Sequence, residues 1–165
     1  MVLKIGFLVN PIAGMGGKVG LKGTDGVYKK AKKLGAKPIS EEKANQAIKN
    51  FNEKYNLEKE IIWYTCKGKM GYEILNKNGI ENIKVLYEPN KNITSSEDTH
   101  KACKKFLEKK VDLILFCGGD GTTRDIYNII QDKIPILGIP SGVKMHSGVC
   151  GINTEDSSKI LYECI

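Results

Sequence analysis

An apolar run that ends in a glycine-rich turn constrains this chain more than any other feature. The run extends from Val111 to Cys117 and is almost entirely apolar, which is typical of a strand buried on both faces of a parallel sheet. It stops at Gly118-Gly119-Asp120-Gly121, where glycine allows positive φ and lets a ligand approach the backbone without meeting a Cβ atom. Thr122 and Thr123 then predict the start of a helix.

This strand, turn and helix together predict an anion-binding site, because free N–H groups and the helix dipole point at whatever lies there. We expect Asp125 in the first turn of the helix and Ile126, Ile129 and Ile130 on one face. Asp120 is the informative residue, since a loop that only holds phosphate does not normally carry an anion. Its carboxylate indicates metal handling or proton abstraction, with simple capping of the helix as the structural alternative.

Arg124, the one arginine of the chain, directly follows this turn. In a protein that otherwise uses lysine, its position favours a fork-shaped donor for phosphate oxygens, and a simple surface arginine is the alternative. The net charge of +7 comes almost entirely from lysines spread along predicted helices. These are typical of a solvated surface, and we expect no nucleic-acid binding, because no basic patch is interleaved with aromatic residues.

The sequence carries none of the patterns of a membrane or secreted protein. No apolar stretch is long enough to span a bilayer, and the first residues lack the layout of a signal peptide. The five cysteines are odd in number and include no C-x-x-C pair, so we expect reduced thiols and no metal cluster. We therefore expect a soluble, cytoplasmic protein with one domain, 1–165.

A second unusual loop, Asn10 to Lys18, follows the predicted strand Val2 to Val9. Its glycines, Gly14, Gly16 and Gly17, match neither the P-loop nor the dinucleotide fingerprint. A loop so rich in glycine is functional or disordered, and we favour function. The side-chain amide of Asn10 suits a turn, the anchoring of a loop, or contact with a nucleotide.

A third loop, Pro140 to Gly148, follows the predicted strand Ile134 to Ile139. Its Lys144 is equally compatible with a surface position and with a site, and His146 is more typical of a structural or surface residue. In open α/β sheets, ligands bind beyond the carboxyl ends of the strands. We expect all three loops at that edge.

The remaining pattern alternates strands with helices. Further strands are predicted at 60–64 and 83–87, and further helices at 27–34 and 72–76. Three more helices are predicted with their caps: one that Ser40 can cap, one from a Thr94–Glu97 capping box to Lys109, and one from Thr154 to Cys164 with Thr154 as its cap. The fold class is α/β, with a doubly wound, mainly parallel Rossmann-like sheet and helices on both faces.

Gly118-Gly-Asp-Gly-Thr122, after its hydrophobic strand, resembles the signature shared by NAD kinases, diacylglycerol kinases and 6-phosphofructokinases. Three further segments, Asn10–Gly17, Gly23–Gly26 and Gly138–Ser147, narrow this resemblance. In this order, the four segments are similar to the ATP-NAD kinase-like branch that includes the acetoin-catabolism X proteins.

The resemblance implies the fold of an NAD kinase N-terminal domain and phosphate transfer from ATP or polyphosphate to the 2′-hydroxyl of NAD. It implies Asp120 as the catalytic base, with Mg²⁺ bridging the donor phosphates and no metal ligand assigned in the protein. The residues we expect to bind nucleotide or phosphate are Asn10, Gly14, Gly16, Gly17, Gly118, Gly119, Gly121, Thr122, Thr123, Arg124 and Lys144.

One part of the family pattern is not found. The kinases of this superfamily carry a second, β-rich domain with an Asn-Glu pair, and we expect this sequence to represent the α/β domain alone. Two alternatives stay open: a non-catalytic nucleotide-binding half, or a kinase for a lipid or sugar hydroxyl. NAD and ATP are the expected ligands, and a homo-oligomer or a partner chain that supplies the missing domain is the expected assembly.

Overall fold

The described residues form five parallel strands in one sheet. A computed structural model describes residues 2–15, 28–55, 60–91, 93–141 and 145–165. The strands are β1 (Leu3–Val9), β2 (Ile61–Cys66), β3 (Ile83–Tyr87), β4 (Leu113–Gly118) and β5 (Ile136–Pro140). Their order is β3-β2-β1-β4-β5. The chain therefore builds outward from β1 in one direction and then returns to continue on its other side, which creates a switch point between β1 and β4.

Helices cover both faces of this sheet. They are α1 (Tyr28–Lys33), α2 (Ser40–Tyr55), α3 (Tyr72–Lys77), α4 (Ser96–Lys109), α5 (Asp120–Ile130) and α6 (Thr154–Glu163). Buried residues of α2, α3 and α6 pack on one face, and those of α4 and α5 pack on the other. The predicted doubly wound, Rossmann-like α/β fold is confirmed.

Successive strand residues enter opposite layers of the core, because side chains alternate across a strand. Ile5 and Phe7 of β1 pack toward α2, whereas Leu8 packs toward α4 and α5. Trp63 of β2 is 1% exposed and lies edge-on to the rings of Phe7 and Phe51. The central strands are thus buried on both faces, as their apolar sequences predict.

Two helix caps differ from the prediction by one residue. At α4 the capping box is formed by Ser95 and Asp98, whose carboxylate accepts the Ser95 N–H at 2.7 Å, so the predicted Thr94–Glu97 box is wrong. At α6 the cap is Asn153 rather than Thr154, because the Asn153 side chain accepts the Asp156 N–H at 2.8 Å.

Ser40 lies inside α2 as its first residue, so its predicted role as the cap is also wrong. Its hydroxyl donates a hydrogen bond to the Asn10 carbonyl at 2.7 Å. This contact attaches the start of α2 to the loop that follows β1.

No helix among the described residues is long and apolar enough to cross a membrane.

We expect Phe51→Ala to lower the free energy of unfolding by about 3–5 kcal/mol, because the change empties space beside Trp63 in the core. Tyr127→Ala is the matched control: Tyr127 is 52% exposed, so the loss should stay within about 0.5 kcal/mol. Urea denaturation followed by the fluorescence of the single tryptophan measures both. Equal losses in the two variants would contradict this description of the core.

Candidate nucleotide site

The turn between β4 and α5 is the centre of the candidate site. Helix α5 begins at Asp120, two residues before the predicted start, with Gly119 as its N-cap in an extended conformation. Thr122 therefore lies within the first turn and packs back onto the strand end. A Cβ atom on Gly118 would lie 2.5 Å from the Thr122 side chain. Only glycine at this position allows the helix to begin so close to the strand.

Thr122 also connects the first two loops. Its side chain is buried, with 3% of the residue exposed, and its Oγ1 accepts a hydrogen bond from Asn10 Nδ2 at 3.0 Å. The other side-chain atom of Asn10, Oδ1, accepts the Ile12 N–H at 3.2 Å. The Asn10 side chain thus anchors the β1 loop, one of the roles considered from the sequence, and joins that loop to α5.

The β1 loop also contacts the start of the loop after β5. Gly14 has a φ of +83°, and a Cβ atom there would lie 2.3 Å from the carbonyl oxygen of Ser141. Ser141 in turn donates its N–H to the Gly118 carbonyl at 3.4 Å. The three loops therefore meet at the carboxyl edge of the sheet, at the switch point between β1 and β4.

The Asp120 carboxylate points toward the loop after β5. Its Oδ1 accepts hydrogen bonds from Ser147 Oγ at 2.8 Å, from the Ser147 N–H at 3.1 Å and from the His146 N–H at 3.2 Å. Its Oδ2 lies 3.1 Å from the His146 nitrogen. A side chain at the start of α5 is thus held by a segment 26 residues later in the chain.

These contacts favour the ionised form of Asp120. Desolvation raises the pKa of the carboxyl group, but the hydrogen bonds from Ser147 and His146 together outweigh it and hold the pKa below its ordinary value. The pKa of an Asp side chain in an unfolded chain is about 3.9. These hydrogen bonds therefore stabilise the fold above that pH, and their contribution is lost as the pH falls through the lower folded-state pKa.

The open side of the turn lies at Gly119. Among the described residues, no heavy atom outside its immediate neighbours lies within 4 Å of the position that a Cβ atom would occupy. The first N–H groups of α5 follow directly, and Thr123 closes the turn by donating its hydroxyl to the Gly119 carbonyl at 3.2 Å. A helix N-terminus with free space at a glycine can accept a phosphate group.

A family model supports the interpretation of this site. The model of the ATP-NAD kinase N-terminal domain matches residues 5–165. This chain belongs to that family. No curated protein and no solved structure matches it. The family assignment indicates a kinase-like nucleotide-binding domain, in agreement with the Rossmann-like fold.

This ATP-NAD kinase N-terminal domain gathers part of the residue set expected from its sequence. The β4–α5 residues, Asn10 and Gly14 meet at one edge, with Arg124 exposed on α5. Gly16, Gly17 and Lys144 lie outside the described residues, as does the segment Gly23–Gly26. The role of each of these residues in binding remains a prediction.

Asp125 does not lie in the first turn of α5, so that prediction is wrong. Because the helix begins at Asp120, Asp125 lies in the second turn, where its Oδ1 is 3.6 Å from Nε2 of His100 on α4. Its place in the domain is the contact between α4 and α5.

Sequence reasoning did not identify Ser147 as a partner of Asp120. The loop Pro140 to Gly148 stands out in the sequence, but no spacing pattern connects a serine there to an aspartate of the preceding βα unit. The one feature that relates the two residues is the parallel pairing of β4 and β5, because it places the loops after both strands at the same edge of the sheet.

The described residues contain no group of three or more His, Cys, Asp or Glu side chains placed to hold a metal ion.

All five cysteines are free thiols. Burial raises the pKa of the Cys103 thiol to about 12.

We expect Gly118→Ala to lower the free energy of unfolding by about 1–3 kcal/mol, because the new methyl group would overlap the Thr122 side chain. Gly119→Ala is the matched control in the same turn, and its effect should stay below about 1 kcal/mol, since that position is open and only the preference for glycine over alanine at the N-cap is lost. Chemical denaturation of the two variants measures the difference. A greater loss at Gly119 than at Gly118 would contradict the geometry of the turn.

Proposed function

We propose that this domain binds ATP or polyphosphate at the N-terminus of α5 and transfers a phosphate group to the 2′-hydroxyl of NAD, with Asp120 as general base. The observation that carries the proposal is the juxtaposition of two features at one turn. The carboxylate of Asp120 is oriented by hydrogen bonds from Ser147, and the neighbouring Gly119 leaves the helix N-terminus open.

The phosphate site is proposed to consist mainly of backbone. The N–H groups of Gly119, Asp120 and Gly121 lie at the positive end of the α5 dipole, which favours an anion. The Thr122 hydroxyl is already hydrogen-bonded to Asn10 inside the turn, so Thr122 would contribute through its N–H group. Arg124, exposed on the same helix, would reach outer phosphate oxygens through its planar guanidinium group.

The proposed reaction needs one proton acceptor. The proton of the 2′-hydroxyl passes to the Asp120 carboxylate as the hydroxyl oxygen forms a bond to the γ-phosphorus. The bond between that phosphorus and the bridging oxygen breaks, and ADP leaves with the electron pair. Mg²⁺, which keeps waters and binds phosphate oxygens without a protein cage, would neutralise the donor phosphates.

We expect Asp120→Asn to lower the rate of phosphate transfer to NAD by about 10²–10⁴-fold, because the amide cannot accept the proton. Binding of ATP should persist, since the backbone of the turn is unchanged. Asp132→Asn, at an exposed position beyond the other end of α5, is the matched control and should retain the full rate. Transfer of radiolabel from ATP to NAD with Mg²⁺, at several pH values, measures the rates.

Equal rates for Asp120→Asn and the unaltered protein would remove Asp120 from its proposed role. The same assay with a lipid or a sugar in place of NAD tests the choice of acceptor. Faster transfer to one of those hydroxyls would overturn NAD as the substrate. If calorimetry shows that the protein binds ATP and NAD but the assay shows no phosphate transfer, the alternative is favoured that this domain is a non-catalytic, nucleotide-binding half of an enzyme and needs a partner chain.

We expect Gly119→Ala to weaken the binding of ATP about tenfold, because a methyl group would occupy the space proposed for phosphate oxygens. Its stability should fall by less than about 1 kcal/mol, from the N-cap preference alone, so the variant stays folded and a loss of affinity reports an effect on the ligand. Isothermal titration calorimetry with Mg-ATP measures the affinity, and Asp132→Asn again serves as the reference. Unchanged affinity would place the phosphates elsewhere.

A further inference from the structure

We propose that Ser147 is the positioning residue for Asp120, and that its hydroxyl divides the carboxylate into a fixed oxygen, Oδ1, and a proton-accepting oxygen, Oδ2. The inference deepens the proposed function and rests on it, because Oδ2 is the atom that would receive the proton of the acceptor hydroxyl. It assigns Ser147 no contact with the substrate.

The two carboxylate oxygens have different hydrogen-bond environments. Oδ1 is within 3.2 Å of three donors, the Ser147 hydroxyl and the N–H groups of Ser147 and His146. Among the described residues, Oδ2 has one donor, the same His146 N–H, which is shared between the two oxygens and lies slightly closer to Oδ2, at 3.1 Å; Ser147 alone supplies two donors to Oδ1. An ionised carboxylate offers about two acceptor sites on each oxygen. Oδ1 is therefore saturated, while Oδ2 can still accept a hydrogen bond or a proton.

Ser147 is the side chain that maintains this difference. The terminal torsion of an aspartate is broad and roughly two-fold, so the carboxylate can rotate unless its oxygens are held. The shortest of the four contacts, 2.8 Å, comes from the Ser147 hydroxyl to Oδ1. A hydroxyl facing a carboxylate must donate, since the ionised group only accepts. A half-turn of the ionised carboxylate restores the same contact, because its two oxygens are equivalent, but any smaller rotation breaks it, so the hydroxyl fixes the plane of the carboxylate and leaves one oxygen facing away from Ser147.

The segment that carries Ser147 is tied to the edge of the sheet. Gly138 of β5 donates its N–H to the Val149 carbonyl at 2.8 Å and accepts the Gly151 N–H at 3.1 Å. A Cβ atom on Gly138 would lie 2.3 Å from Cys150 Sγ, so the segment packs directly on the strand. The backbone of β5 thus anchors the chain two residues after Ser147, which limits how far this positioning residue can move.

Two titratable side chains share the electrostatic environment of Asp120. The charge of His146 contributes to the lowered pKa of the aspartate. Burial raises the pKa of the Cys150 thiol to about 11, and the negative charge of Asp120 contributes to the same shift. Both side chains remain in a Ser147 variant, so a change in the titration of Asp120 there reports the loss of the hydroxyl.

The test compares Ser147→Ala with Ser147→Thr, which keeps a hydroxyl, and with Ser96→Ala, a serine-to-alanine control at an exposed position on α4. Carbon-detected NMR titration follows the Asp120 carboxyl group without substrate, and steady-state kinetics with ATP and NAD gives kcat and KM against pH. Ser147→Ala should raise the Asp120 pKa by roughly half to one unit, because one hydrogen bond to the charged form is lost.

The pH dependence of kcat should shift in the same direction as the pKa of Asp120. A higher pKa moves the acidic limb of the kcat profile to higher pH, and loss of orientation lowers the plateau of kcat about tenfold with KM unchanged. Ser147→Thr should restore both, and Ser96→Ala should change neither.

An unchanged Asp120 pKa in a folded Ser147→Ala variant would overturn the inference, whatever its activity. A fall in kcat that Ser147→Thr does not restore would also overturn it. A raised pKa in a protein whose unaltered form transfers no phosphate would support the positioning of Asp120 and overturn only the proposed function.

Discussion

The approach of the Thr122 side chain to the backbone of Gly118 is the contact on which the rest of the site depends. Because glycine leaves room for it, α5 begins directly after β4, and Asp120 becomes its first residue. The same inward position brings the Thr122 hydroxyl to Asn10, which attaches the β1 loop. One absent methyl group therefore determines where the helix N-terminus, the carboxylate and the neighbouring loop lie.

An anionic side chain at the start of a phosphate-binding helix creates a conflict, since like charges repel most strongly at short distance. The structure directs the Asp120 carboxylate toward the N–H groups of His146 and Ser147, which offset part of its charge. Gly119 remains open. Under the proposed function, the turn can thus receive phosphate at Gly119 while keeping a base within reach, because donors from the loop after β5 offset part of the charge of the carboxylate.

The fold could be predicted from sequence because its signals are local and repeated. Apolar runs such as Leu113–Gly118 show which strands are buried, and alternation with helices implies parallel pairing. The helix caps are harder to predict to the residue, because Ser, Thr, Asp and Asn suit the N-cap position almost equally well. Whether Thr94 or Ser95 caps α4 depends on which acidic side chain reaches back, and Asp98 does so in the structure. The strand order carries no such local signal, because it depends on tertiary packing.

The site could be predicted only as far as residues adjacent in sequence. The contacts that assemble it join Asn10 to Thr122, Gly14 to Ser141 and Asp120 to Ser147, and no periodicity relates positions so far apart. Thr122 shows the consequence. The family resemblance implied that Thr122 lines the phosphate site, whereas packing directs its hydroxyl to Asn10. If side chains hold the loops together and the backbone binds the ligand, changes at Thr122 act on loop arrangement first. Changes at Gly119, where only space is altered, would act on the ligand directly.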